Sequence, residues 1–318
     1  MRNILFSCLN QSFRAPGLVW LSSLQQLNEQ TNFLSDTEVW VFHTPDFNKR
    51  GFEQFTFVHW HELPIVEFVN SRIPKRETQG MVMRLQAFDY FYKTGIKRVF
   101  YTDADALILK DFRDIYKTAL SEETPLAACQ DYVYTDDPLI GPLYKKVSFE
   151  YAHRMVINKN YFNSGVIYID LPFAYAKLKQ LGESSIMEYF LQNAHRYMFP
   201  DQDALNELFP KYIRLPRFFN SYADMAVSKY LTANEAMSAR YRISKATIVH
   251  FIAKSKPWKV NSELLIERAM VPLEIYWNAA QPVLHLLDND FVAALKDNLS
   301  KYAHIIEHFR ITEGFVDE

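Results

Sequence analysis

Two hydrophobic patterns alternate along the chain up to Phe251. Short runs of apolar, β-branched and aromatic residues predict strands, whereas stretches with apolar residues three or four positions apart predict helices. The predicted strands are Asn3–Cys8, Glu38–His43, Phe55–Trp60, Arg98–Tyr101, Leu126–Gln130, Val166–Ile169, Tyr212–Leu215 and Thr247–Phe251. The predicted helices are Gly17–Asn28, Thr78–Lys93, Phe112–Ala119, Phe173–Gln180, Ser185–Ala194 and Gln202–Phe209. This alternation predicts an α/β fold with a mixed, mostly parallel sheet, in which ligands bind at the carboxyl ends of the strands.

The pattern changes after Trp258. Residues 263–309 contain several helix-like segments, interrupted near Pro272 and Pro282, and no convincing strand. We therefore predict a catalytic domain over residues 1–260 and a C-terminal helical extension over residues 261–318. The last stretch of the extension is more acidic than basic. Because anionic lipids attract basic surfaces, peripheral contact with a membrane has little support from this pattern.

Composition excludes several functional classes. The 35 basic residues nearly balance the 37 acidic residues, which argues against a dedicated nucleic-acid-binding protein. The eight glycines are too widely spaced for a dinucleotide-binding or phosphate-binding glycine loop. Two cysteines provide neither a disulfide framework nor a cysteine-rich zinc module. A phosphorylated ligand would therefore have to be held by a metal ion, by Lys or Arg, or by helix N-termini.

The opening residues 1–10 have one Arg and a short apolar stretch that Ser7 interrupts. This pattern is typical of a first strand rather than of a signal peptide, which needs a longer apolar region. No apolar run approaches the ~18 residues of a membrane-spanning helix. We therefore expect a cytoplasmic protein without a membrane span.

The most informative passage is the acidic pair Asp103 and Asp105, which follows the predicted strand Arg98–Tyr101. On an extended backbone, residues two positions apart project to the same side. Two neighbouring carboxylates repel each other unless a cation or a proton lies between them, and such hard oxygen ligands suit Mg²⁺ or Mn²⁺. The small Ala104 would let a ligand phosphate approach the backbone. The alternative is that both aspartates only cap the turn and helix that follow.

Three later segments and one helix add polar groups to this pair. Asn163, Ser164 and Gly165 precede the strand Val166–Ile169, and Asp201 and Gln202 begin a helix that Asp201 could cap. His250 ends the last strand and is followed by Lys256-Pro257-Trp258. Arg84 lies in the helix before the acidic strand. If the carboxyl ends of the strands meet at one edge of the sheet, these groups would surround a single crevice.

In this order, the segments resemble the family-8 retaining glycosyltransferases, which include lipopolysaccharide galactosyl- and glucosyltransferases and glycogenin. The resemblance extends from Asn3 to Trp258. It implies a single GT-A (Rossmann-like) catalytic domain that uses Mn²⁺ (or Mg²⁺) and a UDP-sugar. The implied reaction is transfer of glucose or galactose to a saccharide or glycolipid acceptor, with retention of the anomeric configuration.

The resemblance also implies a role for each matching residue. Asp103, Asp105 and His250 would be the metal ligands, and Gln202 and Asp201 would lie at the reacting carbon. The remaining donor-binding residues would be Phe6 and Ser7 at uracil and ribose, Arg84, Ala104, Asn163 and Ser164 around the sugar and acidic pair, and Lys256 at the diphosphate. Asp131 resembles an acidic position near the acceptor. Since the amide oxygen of Gln202 is neutral and a poor nucleophile, we expect front-face transfer in which the departing phosphate assists deprotonation of the acceptor.

The sequence departs from the family pattern in two places. Ala253 replaces the glycine of HxxGxxKPW, and Leu9-Asn10-Gln11 replaces a segment in which many members carry an aspartate. Both changes weaken the prediction of the donor more than that of the reaction. They leave open a non-catalytic nucleotide-sugar-binding protein on a decayed transferase. A further alternative is a haloacid-dehalogenase-type phosphohydrolase, because Val99–Leu107 resembles its nucleophile motif, with Asp103 as nucleophile and Asp105 as acid/base.

Overall fold

The computed structural model describes residues 2–68, 75–131, 160–197, 199–223, 244–252, 256–259 and 273–300. Its strands are β1 (Asn3–Leu9), β2 (Thr37–His43), β3 (Val58–Glu62), β4 (Arg98–Thr102), β5 (Ala106–Ile108), β6 (Leu126–Gln130), β7 (Phe162–Asp170), β8 (Ile213–Arg214), β9 (Ser221–Tyr222) and β10 (Ile248–His250). Its α-helices with both ends in these ranges are α1 (Arg14–Thr31), α2 (Lys75–Lys93), α3 (Leu171–Gln180), α4 (Ile186–Asn193), α5 (Pro200–Leu208) and α6 (Leu273–Ala280). The predicted alternation of strands and helices is confirmed.

Seven strands form the main sheet, in the order β3-β2-β1-β4-β7-β6-β8. The pairs β3–β2, β2–β1, β1–β4 and β6–β8 are parallel, whereas β7 runs antiparallel to both β4 and β6. This confirms the mixed, mostly parallel sheet. Because β7 is antiparallel, its first residues lie beside the carboxyl end of β4, and Val166 pairs with Thr102.

A second sheet of three strands, in the order β5-β10-β9, begins where β4 ends. The pattern did not predict β5, because three residues are too few to show a period, and it predicted a helix at Phe112–Ala119. The structure has only a 3-10 helix there, Arg113–Lys117. The carboxylate of Asp111 accepts a hydrogen bond from the backbone N–H of Arg113 at 3.0 Å. Such local side-chain bonding competes with regular α-helix.

The helices begin and end at residues that satisfy their terminal backbone groups. Asn10 caps a 3-10 turn that leads into α1, and its Oδ1 accepts from Phe13 N at 3.1 Å. The Asp170 carboxylate accepts from Phe173 N at the start of α3, and the Ser185 hydroxyl accepts from Glu188 N at the start of α4. Asn, Asp and Ser are common N-cap residues, because their side chains accept from backbone N–H groups of the first turn.

The core has one layer on each side of the sheet. On one side, α1 packs with the C-terminal helix α6, a 3-10 segment Gln281–Leu286 and helical residues 289–300. On the other side, α2, α3, α4 and α5 cover the opposite side chains of the same strands. The helical extension is therefore present in its described part and packs on the α1 side. In the ranges given above, no helix is both long and apolar enough to cross a membrane.

Candidate active site at the end of strand β4

The acidic pair lies in a turn between β4 and β5, and not on the extended backbone that the sequence predicted. Ala106 N donates to Asp103 O at 3.0 Å, which closes the turn. The chain leaves the main sheet at this turn and enters the small sheet, so the turn rather than the two-residue period of a strand directs both carboxylates to one place. Asp103 N also donates to Gly165 O at 2.8 Å, which anchors the turn to β7.

His250 reaches the acidic pair because β10 runs antiparallel to β5, with His250 paired to Ala106. Its Nε2 lies 3.2 Å from Asp105 Oδ1 and 3.5 Å from Asp103 Oδ2. The imidazole is 3% exposed. The structure therefore brings together the three residues that the sequence predicted as metal ligands, although Asp103 and His250 are 147 positions apart in the sequence.

A divalent cation fits this group of side chains. One ligand atom from each of Asp103, Asp105 and His250 lies within 4.8 Å of the others. Among the described residues, no donor forms a hydrogen bond with the buried Asp105 Oδ1. A Cβ on Gly165 would lie 2.3 Å from His250 Cε1 and 2.7 Å from Asp103 Oδ2, so glycine is needed for His250 to pack there. Two carboxylates and one imidazole form a donor set that suits Mn²⁺.

Arg84 holds the other side of the acidic pair. Its Nη2 donates to Asp103 Oδ1 at 2.8 Å, and its Nε lies 3.1 Å from Asp201 Oδ2. Burial lowers the pKa of Arg84, but the carboxylates of Asp103 and Asp201 raise it further above its usual range, so the guanidinium stays charged. Burial raises the pKa of Asp201 by more than Arg84 lowers it. Asp201 was predicted to cap α5, but it lies inside the first turn and points to Arg84 instead.

Lys256 lies on the opposite side of Asp105. Its ammonium contacts Asp105 Oδ2 and lies 4.8 Å from the centre of the Phe13 ring. Burial raises the pKa of Asp105, but the Lys256 ammonium and the His250 imidazole together outweigh that effect, so the pKa is below its usual range. Asp105 therefore stays ionised, with one oxygen on Lys256 and the other toward His250.

Gln202 and the start of β7 form the third wall of the site. Gln202 Oε1 accepts from Ser164 N at 3.0 Å and from Asn163 Nδ2 at 3.1 Å, and its Nε2 donates to Asp131 Oδ2 at 3.0 Å. Ser164 also donates through its hydroxyl to Asp201 Oδ2 at 3.1 Å. The amide oxygen of Gln202 therefore already accepts two hydrogen bonds, and its amide group joins β7 to Asp131.

The structure does not bring Phe6, Ser7 and Ala104 to the surface of the crevice. The ring of Phe6 packs against Phe88 and Phe91 and is fully buried, because strand alternation directs it to the α2 side of the sheet. Ser7 is also fully buried, and Ala104 is only 2% exposed. These three side chains are therefore not exposed for the predicted contacts with a nucleotide. Ala253 lies outside the described residues.

Sequence reasoning missed three residues that shape the site. Asn220 contacts His250 Nδ1 through its Oδ1 at 3.0 Å, Tyr101 OH donates to Asp103 Oδ1 at 2.5 Å, and Phe13 lies against Lys256. Burial raises the pKa of Tyr101 well above its usual range, so the phenol keeps its proton and donates. Only Tyr101 had a signal in the sequence, since it lies near the end of β4, two positions before Asp103.

The sheet with its acidic turn and the small second sheet defines a GT-A-type α/β fold. The model of glycosyl transferase family 8 matches residues 4–262, and the chain belongs to this family. The predicted family is confirmed, and it places the chain among the glycosyltransferases, a class of enzymes. Family membership also removes the basis for a haloacid-dehalogenase-type phosphohydrolase.

Two relatives are lipopolysaccharide 1,2-glucosyltransferases of Escherichia coli. The one from strain K12 is 27% identical over 184 residues, covering 57% of this chain and 49% of that protein. The other is 28% identical over 180 residues, covering 55% of this chain and 48% of that protein. The matched region thus spans about half the length of each relative.

Solved structures share the fold. A galactosyltransferase, LgtC, in complex with donor and acceptor sugar analogs has a TM-score of 0.58 at 16% identity, with 92% of this chain and 99% of that chain covered. The glycosyltransferase GlyE of Streptococcus pneumoniae TIGR4 has a TM-score of 0.54 at 17% identity, with 95% and 64% covered. The predicted GT-A fold is confirmed by these likenesses.

Proposed function

We propose that this chain is a retaining hexosyltransferase that moves glucose or galactose from a UDP-sugar to a saccharide or glycolipid acceptor. One observation carries the proposal: Asp103, Asp105 and His250 converge within 4.8 Å at the end of β4, with Asp105 Oδ1 accepting no hydrogen bond from the described residues. Two carboxylates and an imidazole nitrogen so close together can hold a divalent cation. The family and the named activities of the relatives supply the reaction class.

In this proposal Asp103, Asp105 and His250 hold Mn²⁺ or Mg²⁺, and Lys256 lies beside them for the donor diphosphate. The metal would supply positive charge that stabilises the leaving diphosphate. Lys256 adds a second positive charge, held near Asp105 and the Phe13 ring. Such fixed charges stabilise a transition state most when water is excluded, and Asp105 and His250 are both nearly buried.

Asn163, Ser164, Asp201 and Gln202 would surround the donor sugar, with Arg84 holding Asp103 and Asp201 in place. Gln202 is a neutral amide whose oxygen already accepts two hydrogen bonds. The Asp201 carboxylate is engaged by Arg84 and Ser164. Neither group is presented as an unengaged nucleophile, which supports front-face transfer. Trapping a glycosyl adduct on Asp201 or Gln202, identified by mass spectrometry, would rule out this mechanism.

The acceptor side would include Asp131, which receives a hydrogen bond from Gln202 and lies at the end of β6. The E. coli relatives act in lipopolysaccharide synthesis according to their names. We therefore propose a cytoplasmic role in lipopolysaccharide biosynthesis, with a growing saccharide as acceptor. Nucleic acid is not proposed as a partner, because the net charge is only −2.

A thermal-shift screen followed by a transfer assay tests this function. UDP-glucose and UDP-galactose are compared with GDP-mannose, each with and without Mn²⁺. A ligand that binds only the native state raises its stability with the logarithm of saturation, so we expect a shift for one UDP-hexose that requires the metal. The same donor should lose its sugar to an acceptor or to water. Binding without turnover would indicate the decayed transferase, and no shift with any UDP-hexose would contradict the proposal.

A further inference from the structure

A series of hydrogen-bonded side-chain amides leads from β7 to His250 and determines which ring nitrogen of His250 carries a hydrogen. The series starts at the backbone N–H of Gly165, which can only donate and lies 3.0 Å from Asn163 Oδ1. That oxygen is therefore an acceptor, and Asn220 Nδ2, 2.9 Å away, donates to it. The oxygen of the same Asn220 amide is left to face His250 Nδ1 at 3.0 Å. Since a carbonyl oxygen only accepts, Nδ1 of His250 carries the hydrogen.

A second backbone group fixes the same orientation independently. Ser164 N can only donate, and it donates to Gln202 Oε1 at 3.0 Å. Asn163 Nδ2 donates to that same oxygen at 3.1 Å, as its assignment from Gly165 requires. Two backbone N–H groups of β7 thus agree on how the Asn163 amide is turned. Hydrogen-bond networks of this kind are what determine amide orientation and imidazole tautomer.

This assignment determines which nitrogen of His250 faces Asp103 and Asp105. With a hydrogen on Nδ1, the imidazole can bind a cation only through Nε2, which lies 3.2 Å from Asp105 Oδ1 and 3.5 Å from Asp103 Oδ2. A cation bound there would receive the Nε2 lone pair together with one oxygen of each carboxylate, since these ligand atoms lie within 4.8 Å of one another. This is the tautomer that a metal bound through Nε2 requires.

We propose that Asn220 is a positioning residue that holds His250 with its Nε2 lone pair toward Asp103 and Asp105, and so sets the affinity of the site for a divalent cation. The inference rests on the proposed function. Asn220 is 1% exposed and follows the 3-10 turn Arg217–Phe219, where its N–H donates to Arg217 O at 3.0 Å. The turn fixes its backbone, and Asn163 fixes its amide.

The test is a Mn²⁺ binding isotherm for the full chain, measured by titration calorimetry. Asn220→Ala removes the acceptor behind His250, and we expect about 10- to 100-fold weaker Mn²⁺ binding, the range typical of losing such a partner. Asn220→Asp keeps an acceptor oxygen opposite Nδ1 but cannot donate to Asn163 Oδ1, so its Mn²⁺ affinity should fall clearly less than that of Asn220→Ala. Asn220→Leu, which is apolar and of similar size, replaces Asn220→Ala if that variant does not fold.

Asn206→Ala is the matched control. Asn206 is also a buried asparagine, but it joins α5 to β7 through Phe162 N at 2.8 Å and Phe162 O at 2.9 Å. Its loss should lower the melting temperature without changing the Mn²⁺ affinity. Wild-type affinity in Asn220→Ala, or equal weakening in Asn220→Ala and Asn220→Asp, would overturn the role of Asn220. A wild-type chain that binds no Mn²⁺ would instead overturn the metal site of the proposed function.

Discussion

Among the described side chains of helix α2, the charged groups of Arg84 and Asp89 are both buried, and their surroundings differ in an instructive way. Asp89 is 6% exposed, and its carboxylate accepts from neutral donors at the start of α4 and from one tyrosine. The donors are Ser185 Oγ at 2.5 Å, Ile186 N at 3.1 Å, Met187 N at 3.3 Å and the hydroxyl of Tyr175. Both oxygens of Asp89 are satisfied within the folded chain.

The site beside Arg84 is built from opposing charges instead. Arg84 bridges Asp103 and Asp201, Lys256 contacts Asp105, and one oxygen of Asp105 accepts no hydrogen bond from the described residues. A buried carboxylate that only stabilises the fold is surrounded by donors, because an unmet acceptor costs free energy. A carboxylate that binds a ligand keeps an oxygen for it. We therefore expect the Asp89 cluster to contribute to stability and the cluster beside Arg84 to bind a ligand.

The largest effect on metal binding is expected from a substitution of Asp105, whose Oδ1 accepts no hydrogen bond from the described residues. Asp105→Asn replaces a charged ligand with a neutral amide of similar shape, so we expect Mn²⁺ affinity to fall by more than about a hundredfold, beyond the effect of losing a partner behind a ligand. Titration calorimetry measures the affinity, and circular dichroism checks that the fold is retained. Unchanged Mn²⁺ binding would show that Asp105 is not a ligand.

Removing the Asp89 carboxylate should lower the stability of the fold but leave Mn²⁺ affinity unchanged. Asp89→Ala leaves buried hydroxyls and N–H groups without an acceptor, and we expect the free energy of unfolding to fall by about 3 kcal/mol. Urea denaturation measures this change, and Mn²⁺ affinity of the folded variant should equal that of wild type. Loss of Mn²⁺ binding with unchanged stability would break the distinction between the two clusters.

Gly165→Ala tests whether His250 needs the space that glycine leaves. The new Cβ would lie 2.3 Å from His250 Cε1, so the imidazole must shift, and we expect Mn²⁺ affinity to fall about tenfold, comparable to losing a partner behind a ligand. Gly17→Ala is the control, because its Cβ would meet Leu9 Cδ1 at 2.7 Å, away from the acidic pair. Both variants should unfold more easily, but only Gly165→Ala should bind Mn²⁺ more weakly.

The smallest effect concerns the support of Lys256. Phe13→Leu removes the ring that lies 4.8 Å from the Lys256 ammonium, and such cation–π contacts contribute about 0.5–1 kcal/mol at accessible sites. We therefore expect the KM for the donor to rise a few-fold while kcat changes little. Steady-state kinetics with varied donor concentration measures both. A large fall in kcat with an unchanged KM would mean that Phe13 acts on the reaction itself.

Most of the fold could be predicted from the sequence, because long amphipathic stretches and apolar strands carry a strong periodic signal. Strands β4 and β6 and helix α3 lie within a few residues of their predicted bounds. The strand β5 was missed because three residues are too few to show a period. The antiparallel direction of β7 was also not predicted, since direction depends on pairing with β4 rather than on local sequence.

The candidate site was predictable where residues lie close together in a motif, and not where contacts depend on the tertiary fold. Asp103 and Asp105 stand out because a strand leads directly into them, but their common direction comes from a turn. Asn220 carries no local signal, and its contact with His250 arises only when β9 and β10 pair side by side. The resemblance to the family implied that Phe6 contacts the nucleotide, but strand alternation directs its ring into the core.

The central claim is that Asp103, Asp105 and His250 together hold one divalent cation. Pulsed electron paramagnetic resonance of the Mn²⁺-loaded chain tests it most directly, because a directly bound imidazole nitrogen couples to the metal electrons. We expect one Mn²⁺ per chain with a single imidazole coupling that disappears in His250→Gln. Absence of bound Mn²⁺, or a nitrogen coupling that persists in His250→Gln, would contradict the claim.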